Sequence, residues 1–196
     1  VLSKKEIRRI LAMAPSLKAR VMLSLAYGCG MRAGEVVRLK VGDIDSAQQI
    51  IRIVQAKGRK DRNVMLPVDI LGLLRAWWKE RPSGQDMDVA APERVLFPGY
   101  RGKHLSARQI SRLFKQTAQE AGITKPVTLH TLRHSFATHL LERGVDIRVI
   151  QALLGHTKLT TTARYASVAT GMIAAVDSPL DDLNQTKPKK GKPKPS

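Results

Sequence analysis

Residues 129–144 read LHTLRHSFATHLLERG. Leu129, Leu132, Phe136 and Leu140 stand at spacings of 3, 4 and 4, the pattern of one packed helix face. The same turns carry three of the chain's five histidines and two arginines. His130 and Arg133, three apart, project from one side of such a helix. The spacing predicts a helix from about Thr128 to Arg143, with Gly144 as its C-terminal stop. One edge then packs. A neighbouring edge presents an imidazole and a guanidinium near the helix N-terminus, where the dipole and free N–H groups favour an anion.

Downstream, Asp146 caps a short helix through Leu154, stopped by Gly155, and Thr160 can cap another that carries Tyr165. A last helical piece is expected over about 171–176. Upstream, Ser3-Lys4-Lys5-Glu6 and Ser106-Ala107-Arg108-Gln109 are capping boxes that open helices, the second ending near Gly122. A helix is expected from about Pro15 to Tyr27, and a short one from Glu35 to Arg38. Residues 48–56, QQIIRIVQA, alternate and are rich in β-branched side chains, a strand. KGRKD (57–61) is a turn, and RNVMLP (62–67) returns as its partner. Residues 68–80 form an amphipathic helix ended by Arg81-Pro82, and 83–104 are loop-like. The fold class is α+β and mainly α, a helical bundle with a small antiparallel hairpin.

The chain has 196 residues, with 34 Lys+Arg against 16 Asp+Glu, a net charge of +18. That bias favours a polyanionic partner, nucleic acid before an anionic membrane surface. The Lys/Pro run at 187–196 cannot bury a core. Removing its five lysines from the net +18 still leaves +13 on the body, so the body itself is basic. The single cysteine, Cys29, forms no intramolecular disulfide and no zinc-holding cluster, and it fits a reducing cytoplasm. No stretch reads as a membrane span or a signal peptide. The chain opens at Val1 rather than Met, which fits a piece or processed form of a longer protein.

His130-Thr131-Leu132-Arg133-His134, then LLGH (153–156), then TTTARYASV (160–168) resemble the tyrosine recombinase, or phage integrase, family. That family has an H-x-L-R-H box, a Leu-Gly-His, and a tyrosine nine residues after the last histidine. Here that tyrosine is Tyr165. AYGCGMRAGEVVRLKVGDID (26–45) resembles the segment with the family's first arginine, at Arg32. The hairpin at 48–66 resembles the one carrying its lysine, at Lys57. The resemblance covers about residues 1–176. It implies a DNA breaking-rejoining catalytic fold over 1–178, a disordered basic tail over 179–196, and no counterpart of the family's N-terminal helical domain.

The chemistry it implies is cleavage and rejoining of double-stranded DNA without metal, ATP or any cofactor. Tyr165 attacks phosphorus and forms a covalent 3′-phosphotyrosine. Arg32 and Arg133 offer forked donors to the nonbridging oxygens, and His156 adds another. Lys57 is the candidate general acid for the departing 5′ oxygen, with Lys60 in the same turn as its rival. His130 is the candidate base. Glu35 and His134 support these groups without touching phosphate. Lys60, Arg108 and Arg112 are candidate DNA contacts, although a solvated face explains the last two equally well. The family works as a homotetramer on paired DNA sites; the isolated domain is expected to be monomeric, cytoplasmic and without a membrane partner.

Without the motif, blander readings hold. Arg32 is a solvated loop charge, Tyr165 a core tyrosine, and His130 a surface or capping histidine. His130 and His134 share the spacing of helix-borne zinc ligands, but no Glu follows the first and an arginine beside them repels a dication. His139 reads as structural and His104 as loop surface. Trp77 and Trp78 read as one core and one partly exposed ring. Two other functions compete with recombination: relaxation of supercoiled DNA in the manner of type IB topoisomerases, and a DNA-binding module that does not cut.

Overall fold

The structure is a computed structural model that describes residues 1–54, 61–155 and 173–184. The helices with predicted capping boxes begin at them, whereas the one expected from Glu35 begins two residues earlier, at Ala33. Ser3 Oγ accepts from the Glu6 N–H at 3.1 Å, and the Glu6 carboxylate accepts from the Ser3 N–H at 2.8 Å, which opens α1 (Lys4–Ala12). Ser106 and Gln109 make the same reciprocal pair at the start of α5 (Ala107–Glu120). Each such cap stabilises its helix by about 1 kcal/mol.

Helix α2 (Leu17–Gly28) carries Lys18 and Arg20 in its first turn and is then buried at every position from Val21 to Gly28. A helix of that kind must be enclosed. It is: α1, α3 (Ala33–Arg38), α4 (Val68–Glu80), α5 and α6 (Leu129–Glu142) all pack against it. The predicted stripe Leu129, Leu132, Phe136 and Leu140 is buried on α6. The buried face is wider than the stripe, because Arg133, Ser135 and His139 are buried with it. Ser135 Oγ accepts from the Leu2 N–H, and His139 Nδ1 shares a 2.8 Å hydrogen bond with the Tyr27 hydroxyl. His139 is thus structural, as its sequence position suggests. Trp77 is buried and Trp78 is partly exposed, again as expected.

The sheet has three antiparallel strands in the order β1 (Ile44–Asp45), β2 (Ile50–Ile53), β3 (Arg62–Met65). The predicted hairpin is β2–β3, with Ile51 opposite Val64 and Ile53 opposite Arg62. The strand expected from Gln48 begins only at Ile50, because Gln49 adopts a positive φ of 56° in the turn from β1. Two-residue β1 is too short to show any alternation.

Helix α7 (Ile147–Leu154) ends at Gly155, whose φ of 66° supplies the predicted left-handed stop. The expected tail boundary at 179 moves toward the C-terminus. Leu180 and Leu183 are buried, the second within a short α8 (Asp181–Asn184). Ser178 Oγ donates to the Gly28 carbonyl, and Lys4 pairs with Asp182 at 2.8 Å. Two leucines in a polar run were enough to anchor it. Of the expected piece at 171–176, the described part begins at Ile173, which is buried.

Between α2 and α3 the chain turns through Gly30, with φ of +64°. A Cβ there would lie 2.6 Å from the Phe136 ring. The loop therefore lies directly on α6, and both torsion and space demand glycine. Gly30→Ala is expected to destabilise the fold by about 3 kcal/mol, from left-handed strain plus overpacking. Thermal unfolding should show Tm lowered by roughly 6–12 °C; an unchanged Tm would contradict this packing.

Candidate active site

The first turn of α6 places His130 on the surface and Arg133 in the interior, 2% exposed. The Arg133 guanidinium donates to the Gly30 carbonyl at 2.7 Å and to the Leu154 carbonyl at 2.5 Å. One side chain thus fixes both the loop before α3 and the C-terminal end of α7. Arg32 is the N-cap residue of α3. Its backbone N–H donates to Glu35 Oε1 at 2.8 Å, and its guanidinium lies 3.6 Å from Glu35 Oε2. It is half-buried, so the solvated-charge reading of Arg32 does not describe it.

Glu35 is buried, and its main partner is a residue that sequence reasoning missed. Arg62, the first residue of β3, grips it with two N–H groups at 2.5 and 2.8 Å. The Arg62 Nε–H donates to the Leu153 carbonyl at 2.7 Å. Side-chain exposure of the pair is 6% for Arg62 and 2% for Glu35. In sequence Arg62 opens the strand that returns after the basic turn, and no neighbouring residue marks it as paired. One signal could have exposed it. Arg62 stands opposite Ile53 in the hairpin, and cross-strand partners share a face. A buried isoleucine beside it implies a buried arginine, which needs a carboxylate.

These groups sense one another. Burial, then the charges of Arg32 and Arg62, push Arg133 down to about 9, and Glu35 opposes them. Burial, then Arg133, Arg32 and His134, push the His130 imidazole below its ordinary 6.5. The imidazole is accordingly neutral at physiological pH and able to accept a proton. Three guanidinium groups around one carboxylate make a cluster that an anion would stabilise.

His134 is exposed on α6, within electrostatic reach of His130. Arg108 and Arg112 are exposed on α5. Lys57, Lys60, His156 and Tyr165 lie outside the described residues. The last two belong to the segment that follows α7, whose final carbonyls are held by Arg62 and Arg133. Among the described residues no group of three or more His, Cys, Asp or Glu side chains could hold a metal ion, and no helix is long and apolar enough to cross a membrane.

The sequence profile of the phage integrase family matches residues 1–172. This chain belongs to the phage integrase family. The tyrosine recombinase XerA of Thermococcus onnurineus is 40% identical over 169 residues, covering 85% of this chain and 57% of that protein. The crystal structure of XerA recombinase superposes with a TM-score of 0.70 at 35% identity, over 84% of this chain and 57% of that one. XerH recombinase bound to its difH substrate before cleavage superposes with a TM-score of 0.67 at 28% identity, over 84% of this chain and 49% of that one. The chain spans about half to three-fifths of the length of these relatives. The mainly helical architecture with a small antiparallel sheet is that of the tyrosine recombinase catalytic domain.

Removing Glu35 takes the carboxylate from the buried Arg62 guanidinium. Glu35→Ala is expected to cost about 3–5 kcal/mol. Pairing Glu35→Leu with Arg62→Met should recover much of that loss in urea unfolding. A double variant as unstable as the sum of the singles would show that the two side chains do not act together.

Proposed function

We propose that this chain cuts and rejoins double-stranded DNA without metal or ATP, through a covalent 3′-phosphotyrosyl intermediate. The observation that carries this reading is the electrostatic coupling of Arg32, Arg133 and His130, groups drawn from distant parts of the sequence onto one cationic spot. The Tyr165 oxygen attacks phosphorus while His130, held neutral, takes the phenol proton. Arg32, Arg133 and His156 donate to the nonbridging oxygens. Two of the Arg133 donors are spent on carbonyls, which aims the rigid guanidinium and leaves further N–H groups for phosphate. The 5′ oxygen leaves with a proton from Lys57, with Lys60 as the alternative donor. Rejoining reverses each step, the 5′ hydroxyl displacing tyrosine.

Glu35 orients Arg32 and holds Arg62, and His134 supports His130. Lys60, Arg108 and Arg112 contact DNA backbone. DNA as partner draws support from XerH, a relative seen on its DNA site. We infer tetramer assembly on paired sites within a cytoplasmic setting, and a catalytic domain that runs through α8 to Asn184. Supercoil relaxation in the manner of type IB topoisomerases is not favoured, since the relatives are recombinases by name.

Trapping on nicked suicide substrates tests the reading. Wild type should form a covalent DNA adduct and Tyr165→Phe none; an undiminished adduct in that variant would refute it. Arg32→Ala and Arg133→Ala should each slow cleavage by about 10²–10³-fold.

The pH profile is a second check. Because the His130 pKa lies below 6.5 in the folded protein, the base is neutral down to that lower value. The acid limb of the cleavage profile should therefore be centred below 6.5. His130→Gln should lower the plateau and remove the acid limb. A limb centred above 6.5 would rule out His130 as the base.

A further inference from the structure

Between Arg94 and Gln119 the chain carries Arg94, Arg101, Lys103, Arg108, Arg112 and Lys115 and no acidic residue. Arg94 is occupied, donating to the Val89 and Met87 carbonyls. The other five are exposed. Arg108, Arg112 and Lys115 stand at i, i+4 and i+7 on α5, opposite the buried Ile110 and Phe114. Like charges at that spacing weaken an isolated helix. A hairpin-like loop closed by the bridge between Pro98 and His104 extends this stripe. At its tip Tyr100 is 81% exposed. Arg101 lies over the Tyr100 ring at 5.2 Å and holds a left-handed φ of 56°. That conformation costs a non-glycine residue on the order of 1 kcal/mol.

The loop is tied near the site. The Leu96 N–H donates to the carbonyl of Leu39, the C-cap residue of α3, and Arg32 caps the other end of that helix. From helix rise and chain reach, the tip lies no more than about 30 Å from Arg32, within one turn of B-DNA, roughly 34 Å.

We propose that the Tyr100–His104 loop is a second DNA contact that reads the duplex beside the cut. Arg101 and Lys103 bind phosphates, and Tyr100 enters the adjacent groove and sets sequence preference. This rests on the DNA-cleavage reading, and the experiment separates the two. The full chain is assayed on a randomised-flank duplex library and on a nicked suicide substrate, alongside Tyr100→Ala, Lys103→Gln and Arg101→Gly. Lys103→Gln should weaken binding about equally for all flanks and reduce the salt slope by about one. Tyr100→Ala should leave the adduct chemistry intact while flattening flank preference by about 5-fold or more. Arg101→Gly, which relieves the strain, should keep or raise Tm while lowering affinity several-fold. If wild type and all three variants bind and cleave alike, the loop contact is wrong and the cleavage reading stands. If wild type gives no adduct on any duplex, the cleavage reading itself fails. A loop variant that alters self-association and not DNA affinity would assign the loop to a second copy of the chain and overturn the proposal.

Discussion

A buried carboxylate gripped by a buried guanidinium organises this molecule. Glu35 on α3 and Arg62 on β3 form a two-pronged ion pair, and the remaining Arg62 arm holds the last turn of α7. Buried ion pairs contribute little net stability, because desolvation offsets most of the attraction. What this one contributes is placement. It fixes helix, sheet and the C-terminal end of α7 in one register, beside the Arg32 backbone that Glu35 also holds. Arg133 repeats the device from α6, with carbonyls as acceptors. Both arginines end on the C-terminal carbonyls of α7, where a helix concentrates negative partial charge.

The result is a cationic cluster that the free protein stabilises poorly. Burial and mutual repulsion act on Arg133 and His130 alike. The enclosure of α2 lets the fold tolerate this, since from Val21 to Gly28 that helix spends every position on core. Charge that raises the energy of the free molecule is the charge that an incoming phosphate would neutralise.

Much of this was legible in the sequence, for identifiable reasons. Caps and glycine stops act locally, so the starts of α1 and α5 and the ends of α6 and α7 followed from a few residues each. The stripe on α6 declared its own period. The Arg32, His130 and Arg133 positions came from motif resemblance, and their coupling required the fold. Arg62 escaped because its role depends on a partner 27 positions away and on its register opposite Ile53 in the hairpin. The burial of Leu180 and Leu183 escaped for a similar reason: a surface prepared by α1, α2 and α4 made a short polar run with two leucines into structure.

Gly30 and Phe136 constrain each other in two independent ways. The ring leaves no room for a side chain at position 30, and the backbone angle forbids one independently. Shrinking residue 136 would lift only the first prohibition and would open a void under the loop. Neither position therefore offers the other a stepwise route to change. Mutational drift in descendants of this chain is steered away from the pair, and outward to positions where a single replacement is tolerable.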